Sequence, residues 1–318
     1  MKKKDVTLIG AAIIDILTGP VSPRVFETGS MPVKSTVLSF GGDALNEAVV
    51  LSRLGKKAEL VTLLGCDEAG KRVSDFMAAE GIQEDAVTYC PEYRTGMNIV
   101  LVDDGGERFF LTDPESTLRR LAPEHIIPYI EDAADIVCFA SMFVSPRLGV
   151  PEMEQIFELI KKKPGRVLAA DMTKAKNGET LADIAALLPY IDYLIPNEQE
   201  IAMLTGTDDP YENARLLTEA GVGCAVIKRG RRGCIVRKGN AVCDIPAYIV
   251  EEPADTTGAG DTFAAGFLYG ISSGFPVEKA ALFANAAASC AVEGVGATAG
   301  IASIAGPMER YEALLKMI

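Results

Sequence analysis

The chain has no tryptophan, a single histidine, few aromatic residues (7%) and no excess of basic charge. With His125 alone, a Ser–His–Asp hydrolase triad or a histidine-based metal centre is nearly excluded. His125 itself, in Pro123-Glu124-His125-Ile126, reads as a solvated residue at the start of a surface helix. A formal net charge of −13 argues against a nucleic-acid or membrane partner, since either demands a basic face. The seven cysteines (66, 90, 138, 224, 234, 243, 290) form an odd set without a CxxC pair, and most lie in apolar runs such as Ile136-Val137-Cys138-Phe139. They are expected to be buried thiols of a reducing compartment, not disulfides or zinc ligands. Long hydrophobic runs are missing too. The run after Met1-Lys2-Lys3-Lys4 is interrupted by Gly10 and ended by Asp15, too short to cross a membrane, and no small-residue cleavage site follows. The expected setting is cytoplasmic.

What is present is a core and an anion site. Hydrophobic residues make up 48% of 318, ample for a large buried interior. Asp255-Thr256-Thr257-Gly258-Ala259-Gly260-Asp261 runs straight into the apolar helix that begins near Phe263. The first N–H groups of a helix lack intrahelical partners and carry the positive end of its dipole, so Gly258, Ala259 and Gly260 can close around a phosphate. Asp261 at the mouth, held ionised by the helix end, would repel that anion unless it serves a third reactant. An alcohol whose proton it accepts fits that role. A bare Gly-x-Gly-Asp is more often a simple helix cap. Earlier, Phe40-Gly41-Gly42-Asp43-Ala44-Leu45-Asn46 leads into a helix stopped by Gly55, with Asp43 and Asn46 facing the same way. An Asp-capped helix is the ordinary reading of that block.

Together these two blocks resemble the C-terminal and N-terminal signatures of the ribokinase-like (PfkB-type) carbohydrate kinases, in the right order about 200 residues apart. The resemblance implies an α/β fold, a doubly wound, mainly parallel sheet flanked by helices, as one domain over 1–318 with a small β-sheet lid from segments near 15–40 and 95–112. It implies ATP and magnesium, a sugar held by Asp15, Gly42, Asp43 and Asn46, and dimerisation through the lid. Asn197 and Glu200 match its Asn-x-x-Glu motif, in which the Glu places magnesium indirectly; a capping box explains the same pair equally well. Lys228 and Gly230, in the basic cluster Lys228-Arg229-Gly230-Arg231-Arg232, are the implied phosphate contacts. Asn285, on an alanine-rich helix, either reads an adenine edge or is a polar outlier on a packing face. Asp255 and Thr257 are the implied neighbours of a potassium-like ion, left open because Gly300 stands where some relatives have serine.

The remaining pattern is independent of that resemblance. Val6 to Asp15 reads as one buried strand with Asp15 at its exit, Leu60–Leu64 as a strand and Asp67–Glu80 as a helix. Asp103-Asp104-Gly105-Gly106 is a hairpin turn. Beyond 123, strands near 136–140, 166–171, 193–196 and 224–228 alternate with helices near 151–163, 179–188, 197–205 and 210–220. Gly65–Lys71 fits GxxxxGK but has Arg72 where a hydroxyl is needed, so no P-loop is assigned. Asp171-Met172-Thr173-Lys174-Ala175-Lys176 only partly matches the family's Asp-x-Asn-x-Arg, and Ser141–Ser145 lacks the glutamate of ribokinases proper, so ribose is not the expected sugar. The expected reaction is phosphoryl transfer from ATP to a hydroxyl, of primary type, on a ketose or pentose. A nucleoside kinase of the same fold and a non-catalytic sugar or nucleotide sensor are the alternatives.

Overall fold

The computed structural model describes residues 4–317; the basic start over 1–3 lies outside them. Thirteen strands are found among the described residues: β1 (Val6–Ile9), β2 (Ile13–Gly19), β3 (Ser35–Gly41), β4 (Ala58–Gly65), β5 (Val87–Cys90), β6 (Met97–Val102), β7 (Arg108–Thr112), β8 (Ile136–Met142), β9 (Val167–Met172), β10 (Tyr193–Leu194), β11 (Cys224–Lys228), β12 (Cys234–Lys238) and β13 (Ala241–Ile245). Nine of them form one sheet in the order β13-β12-β11-β10-β9-β8-β1-β4-β5. It is parallel from β11 to β5, with β12 and β13 added antiparallel at one edge.

Continuous apolar runs become central strands because both faces are covered. Alternate residues feed two separate cores: Leu8, Leu60, Cys138 and Ala169 pack on one face, and Ile9, Val61, Phe139 and Ala170 on the other. The first face carries the Asp43–Arg53, Ala259–Ser272 and Val277–Ala291 helices, the second the Val150–Lys161, Glu198–Thr205 and Pro210–Glu219 helices. Strand order reverses between β1 and β8, and in open α/β sheets ligands collect beyond the carboxyl ends of strands at such a switch.

The stretch read as one strand over 6–15 is two. Gly10 breaks it where a Cβ would meet Ser141 Oγ at 2.7 Å and Ala44 Cβ at 2.9 Å. The chain then leaves the main sheet, and β2 joins a second, four-stranded sheet in the order β3-β2-β6-β7. Asp15 therefore belongs to the small sheet and not to the exit of a core strand. The β6–β7 hairpin turns where Asp103-Gly106 demanded, with Gly106 at φ 83°. The helix expected over 179–188 is a series of tight turns ending in a short 3-10 segment, Leu188–Tyr190. Its amides bond three residues back, Asp183 captures Thr180, and Pro189 cannot donate. The rejected P-loop is a capped helix start, with Asp67 accepting from Gly70 and Thr95. All seven cysteines are free; Cys138, Cys224, Cys234 and Cys290 are buried and Cys66 is exposed. His125 is half-buried, its Nδ1 accepting the Ala122 N–H at 3.1 Å. No helix among the described residues is long and apolar enough to cross a membrane.

Candidate active site

Residues from four distant parts of the chain line one cavity of about 530 Å³ between the two sheets: Asp15 and Asn98 from the small sheet, Gly42, Asp43 and Asn46 from the first helix signature, Thr257, Gly258 and Asp261 from the second, and Arg119 and Lys176 from connecting loops. The Asp43–Arg53 and Ala259–Ser272 helices lie side by side and both begin at this cavity. Gly42 caps the first at φ 97° and makes no side-chain cap; a Cβ there would press within 2.5 Å of the Ala11 carbonyl. Asp43 is the first helical residue, so the ordinary Asp-cap reading of this block does not apply. Gly258 caps the second helix in the left-handed region, φ 70°, with a hypothetical Cβ 2.1 Å from the Ala297 carbonyl oxygen. Gly258→Ala is accordingly expected to lower stability by about 1–3 kcal/mol in denaturant unfolding, with an unchanged midpoint as the contrary result.

The two signatures meet directly. Asn46 Nδ2 donates to Asp261 Oδ2 at 2.7 Å, across 215 residues of sequence. Behind Asp261, Lys228 Nζ at the end of β11 binds both oxygens of Asp171 at the end of β9, at 2.9 and 2.7 Å. The same ammonium lies 3.6 Å from where a side chain on Gly260 would begin. Asn197 and Glu200 form the reciprocal capping box: the Asn197 N–H donates to Glu200 Oε2 at 2.7 Å, and the Glu200 N–H donates to Asn197 Oδ1 at 2.9 Å.

The cluster holds more acid than base. Burial raises the Asp261 carboxyl to about 6, with Asp171 adding to the rise and Asn46 and Lys228 opposing it. This corrects the expectation that the helix end holds it ionised, because desolvation outweighs the dipole here. Burial also raises Glu200 to about 7 against the pull of Lys228, and pushes Asp43 well up, helped by Asp261 and Asp171. For Lys228 burial acts downward, but Asp171, Glu200 and Asp261 outweigh it and the ammonium is held charged.

Other expected residues are placed differently. Arg229, Arg231 and Arg232 turn outward to Asp244, Glu251 and Glu198, so of the basic cluster only Lys228 faces the site, and Gly230 is exposed on the turn. Asn285 is buried, its amide donating to the Ile245 and Pro246 carbonyls at 3.2 and 3.1 Å, where it pins the end of β13. Asp255 is satisfied by protein donors: Arg108 Nη2 at 2.9 and 3.0 Å, the Thr257 N–H and hydroxyl, and the Gly296 N–H. Arg108 Nη1 also donates to the Thr257 hydroxyl.

Sequence reasoning missed Asn98, which donates to Asp15 Oδ1 at 2.9 Å and accepts from Thr112, and missed Arg108 altogether. Neither carries a local signal, because strand pairing alone brings them in. It also missed Glu47, fully buried four residues after Asp43, its Oε1 without a partner and its carboxyl raised by burial. A second acid one turn after Asp43, set among the buried Ala44, Leu45, Ala48, Val50 and Leu51, was a readable sign.

A model of the pfkB family carbohydrate kinases matches residues 3–304. The chain belongs to that family. It is therefore a phosphotransferase acting on an alcohol hydroxyl, and the reading as a non-catalytic sensor falls away. Over 306 residues it is 28% identical to a ribokinase of Haemophilus influenzae, covering 94% of this chain and 95% of that one. It is 29% identical over 283 residues to a cytidine kinase of Thermococcus kodakarensis, covering 86% and 91%. The fold matches that of the Arabidopsis thaliana ribokinase complexed with ribose and ATP, at a TM-score of 0.83 and 23% identity, over 98% and 99% of the two chains.

Proposed function

We propose that this kinase transfers the γ-phosphoryl of ATP to a primary hydroxyl of a small sugar such as a ketose or pentose, with Asp261 as general base. One observation carries the reading: Asp261 stands at a helix N-terminus suited to phosphate and faces the same cavity as Asp15, Asp43 and Asn46. In this reading Asp15 and Asp43 accept hydrogen bonds from sugar hydroxyls, with Asn46 fixing the orientation of Asp261. The amides of Gly258, Ala259 and Gly260 take the charge developing on the moving phosphoryl, Lys228 beside them shares that load, and Gly230 flanks the nucleotide from the outer turn. Asn285 keeps its place at the nucleotide end as a support for the segment after β13.

Among the described residues no three His, Cys, Asp or Glu side chains are grouped to hold a metal. That suits magnesium, which keeps several waters and arrives with phosphates, needing one or two carboxylates near it. Glu200 and Asp171, whose charges Lys228 alone does not balance, fit that need, and the ion would neutralise charge on the phosphates. The Arg108 guanidinium puts a fixed positive charge at Asp255 and Thr257, where the resemblance implies a monovalent ion, and the mechanism uses no potassium. The small sheet, closing over the cavity, excludes water from the transfer. On the face of that sheet turned away from Asp15, Leu38, Ile99, Phe109 and Leu111 are exposed and supply an apolar surface for a second copy.

A coupled ADP assay over ketoses, pentoses and nucleosides tests the reading; turnover restricted to nucleosides would replace it with a nucleoside kinase, which the cytidine kinase relative favours. The base must be ionised to accept a proton. With Asp261 raised to about 6 and Glu200 to about 7, kcat/KM is expected to climb from pH 5 and level off above about pH 7.5. A profile flat between pH 5 and 8 would count against Asp261.

A further inference from the structure

The cavity that Asp261 lines also carries two cations that lack an ion-pair partner. Arg119 closes the short 3-10 turn Thr117–Arg119, and Lys176 lies on the loop after β9; both line the cavity described above. They also line a second cavity of about 330 Å³, so the two spaces meet at this pair. Arg119 donates Nη1 to the Val144 carbonyl at 2.5 Å and has no carboxylate partner, whereas its neighbours Arg120 and Arg147 are paired with Glu115 and Glu124. The Lys176 ammonium makes neither an ion pair nor a hydrogen bond among the described residues, although the residue's backbone bonds Glu179. Glu179, an acid lining the second cavity, is engaged by the Asn177 N–H and amide and by the Lys176 backbone, not by the Lys176 ammonium. In a chain of net charge −13, a half-buried Arg119 and an exposed Lys176, both without a carboxylate partner and close enough to repel each other, make a locally basic corner that suits an anion. Their mutual repulsion acts with burial to lower the Lys176 ammonium, while Asp43 across the cavity pulls the other way.

The backbone beside them is held in an uncommon conformation. Phe143 takes a left-handed conformation, φ 68°, uncommon for a bulky residue and typical of functional sites. The Arg119 bond to Val144 and the Ser145 hydroxyl bond to Leu121 at 2.7 Å fix that loop against the cation turn.

We propose that the polyol accepted here carries a compact anionic group, a carboxylate or a phosphate, seated between Arg119 and Lys176 where the two cavities join. This rests on the sugar-kinase reading and narrows its substrate class to acidic sugars. The transferable hydroxyl then lies at the opposite end of the molecule, toward Asp261, so the anion acts as the handle that sets which hydroxyl is presented.

The test measures kcat/KM of the full chain with matched neutral and anionic substrates: D-fructose and D-ribose against a hexonate, a 2-keto-hexonate and a hexose monophosphate. At least one anionic class is expected to exceed the neutral sugars by about tenfold or more, and which class does so separates carboxylate from phosphate. In Arg119→Gln and Lys176→Met the ratio of anionic to neutral kcat/KM is expected to fall roughly 10- to 100-fold, chiefly through KM, with Lys176→Arg restoring most of it. Should either variant fail to fold by circular dichroism, the wild-type ratio decides. Neutral sugars turned over as well as or better than every anionic analogue would overturn this inference and leave the sugar-kinase reading standing. Turnover of nucleosides alone would overturn both.

Discussion

Asp261→Asn is expected to lower kcat by roughly 10²- to 10⁴-fold, the range for a lost general base, while the nucleotide still binds with near wild-type affinity. The amide keeps an oxygen for Asn46 and the helix keeps its free N–H groups, so the geometry survives and only the proton acceptor goes. The same substitution should stabilise the ligand-free protein. A carboxyl raised from 3.8 to about 6 by burial favours the folded state fully only below its unfolded value, and that advantage is lost as pH rises through about 6. Asparagine removes the burden, so at pH 7 a gain of about 2 kcal/mol is expected, vanishing near pH 4. Melting curves at the two pH values check this. Equal melting at both, together with retained turnover, would show that residue 261 is an ordinary first-turn residue of its helix.

Lys228→Met should act in the opposite sense on stability within the same cluster. It leaves Asp171 buried without its ammonium and removes the main counter-charge to Glu200. Breaking a buried pair from one side costs roughly 3–5 kcal/mol, and the remaining carboxylates can relieve part of that by taking up protons. Their folded pKa values then lie still further above the unfolded ones, so the loss is greatest above about pH 7 and shrinks as pH falls. Turnover should drop about 10²- to 10³-fold, as for loss of a donor to transition-state charge. Thermal unfolding against pH, alongside single-turnover rates with ATP, measures both. A loss of stability independent of pH would mean that the methionine merely packs badly.

How much of this could be read from the residues depended on whether the signal was local. Ile136–Ala140 and Cys224–Lys228 are continuous apolar runs, and the structure makes each a central parallel strand. The glycines at 42 and 258 announced themselves because positive φ at a helix start tolerates little else. The run 6–15 misled because apolarity alone does not tell a chain crossing from one sheet to another; only Gly10, squeezed between Ser141 and Ala44, marks the passage. Residues 179–188 carry a helical period, yet the Asp183 side chain and Pro189 favour tighter turns. Arg119 and Asn98 reach the cavity, and Arg108 reaches Asp255 and Thr257, through pairing and loops far from any motif, so no spacing rule could place them. The ionisation of Asp261 was misjudged for a similar reason, since Asp171 and the degree of enclosure enter only with the tertiary structure.

The central claim is that the Asp261 carboxylate faces a sugar hydroxyl and the terminal phosphate of ATP together. A crystal structure of the ternary complex with an accepted sugar and a non-hydrolysable ATP analogue tests it directly. The account predicts one sugar hydroxyl about 3 Å from an Asp261 oxygen, in line with the γ-phosphorus lodged over Gly258–Gly260. A hydroxyl aimed at the phosphorus but approached by another acid, or a phosphate lodged away from that helix end, would contradict it.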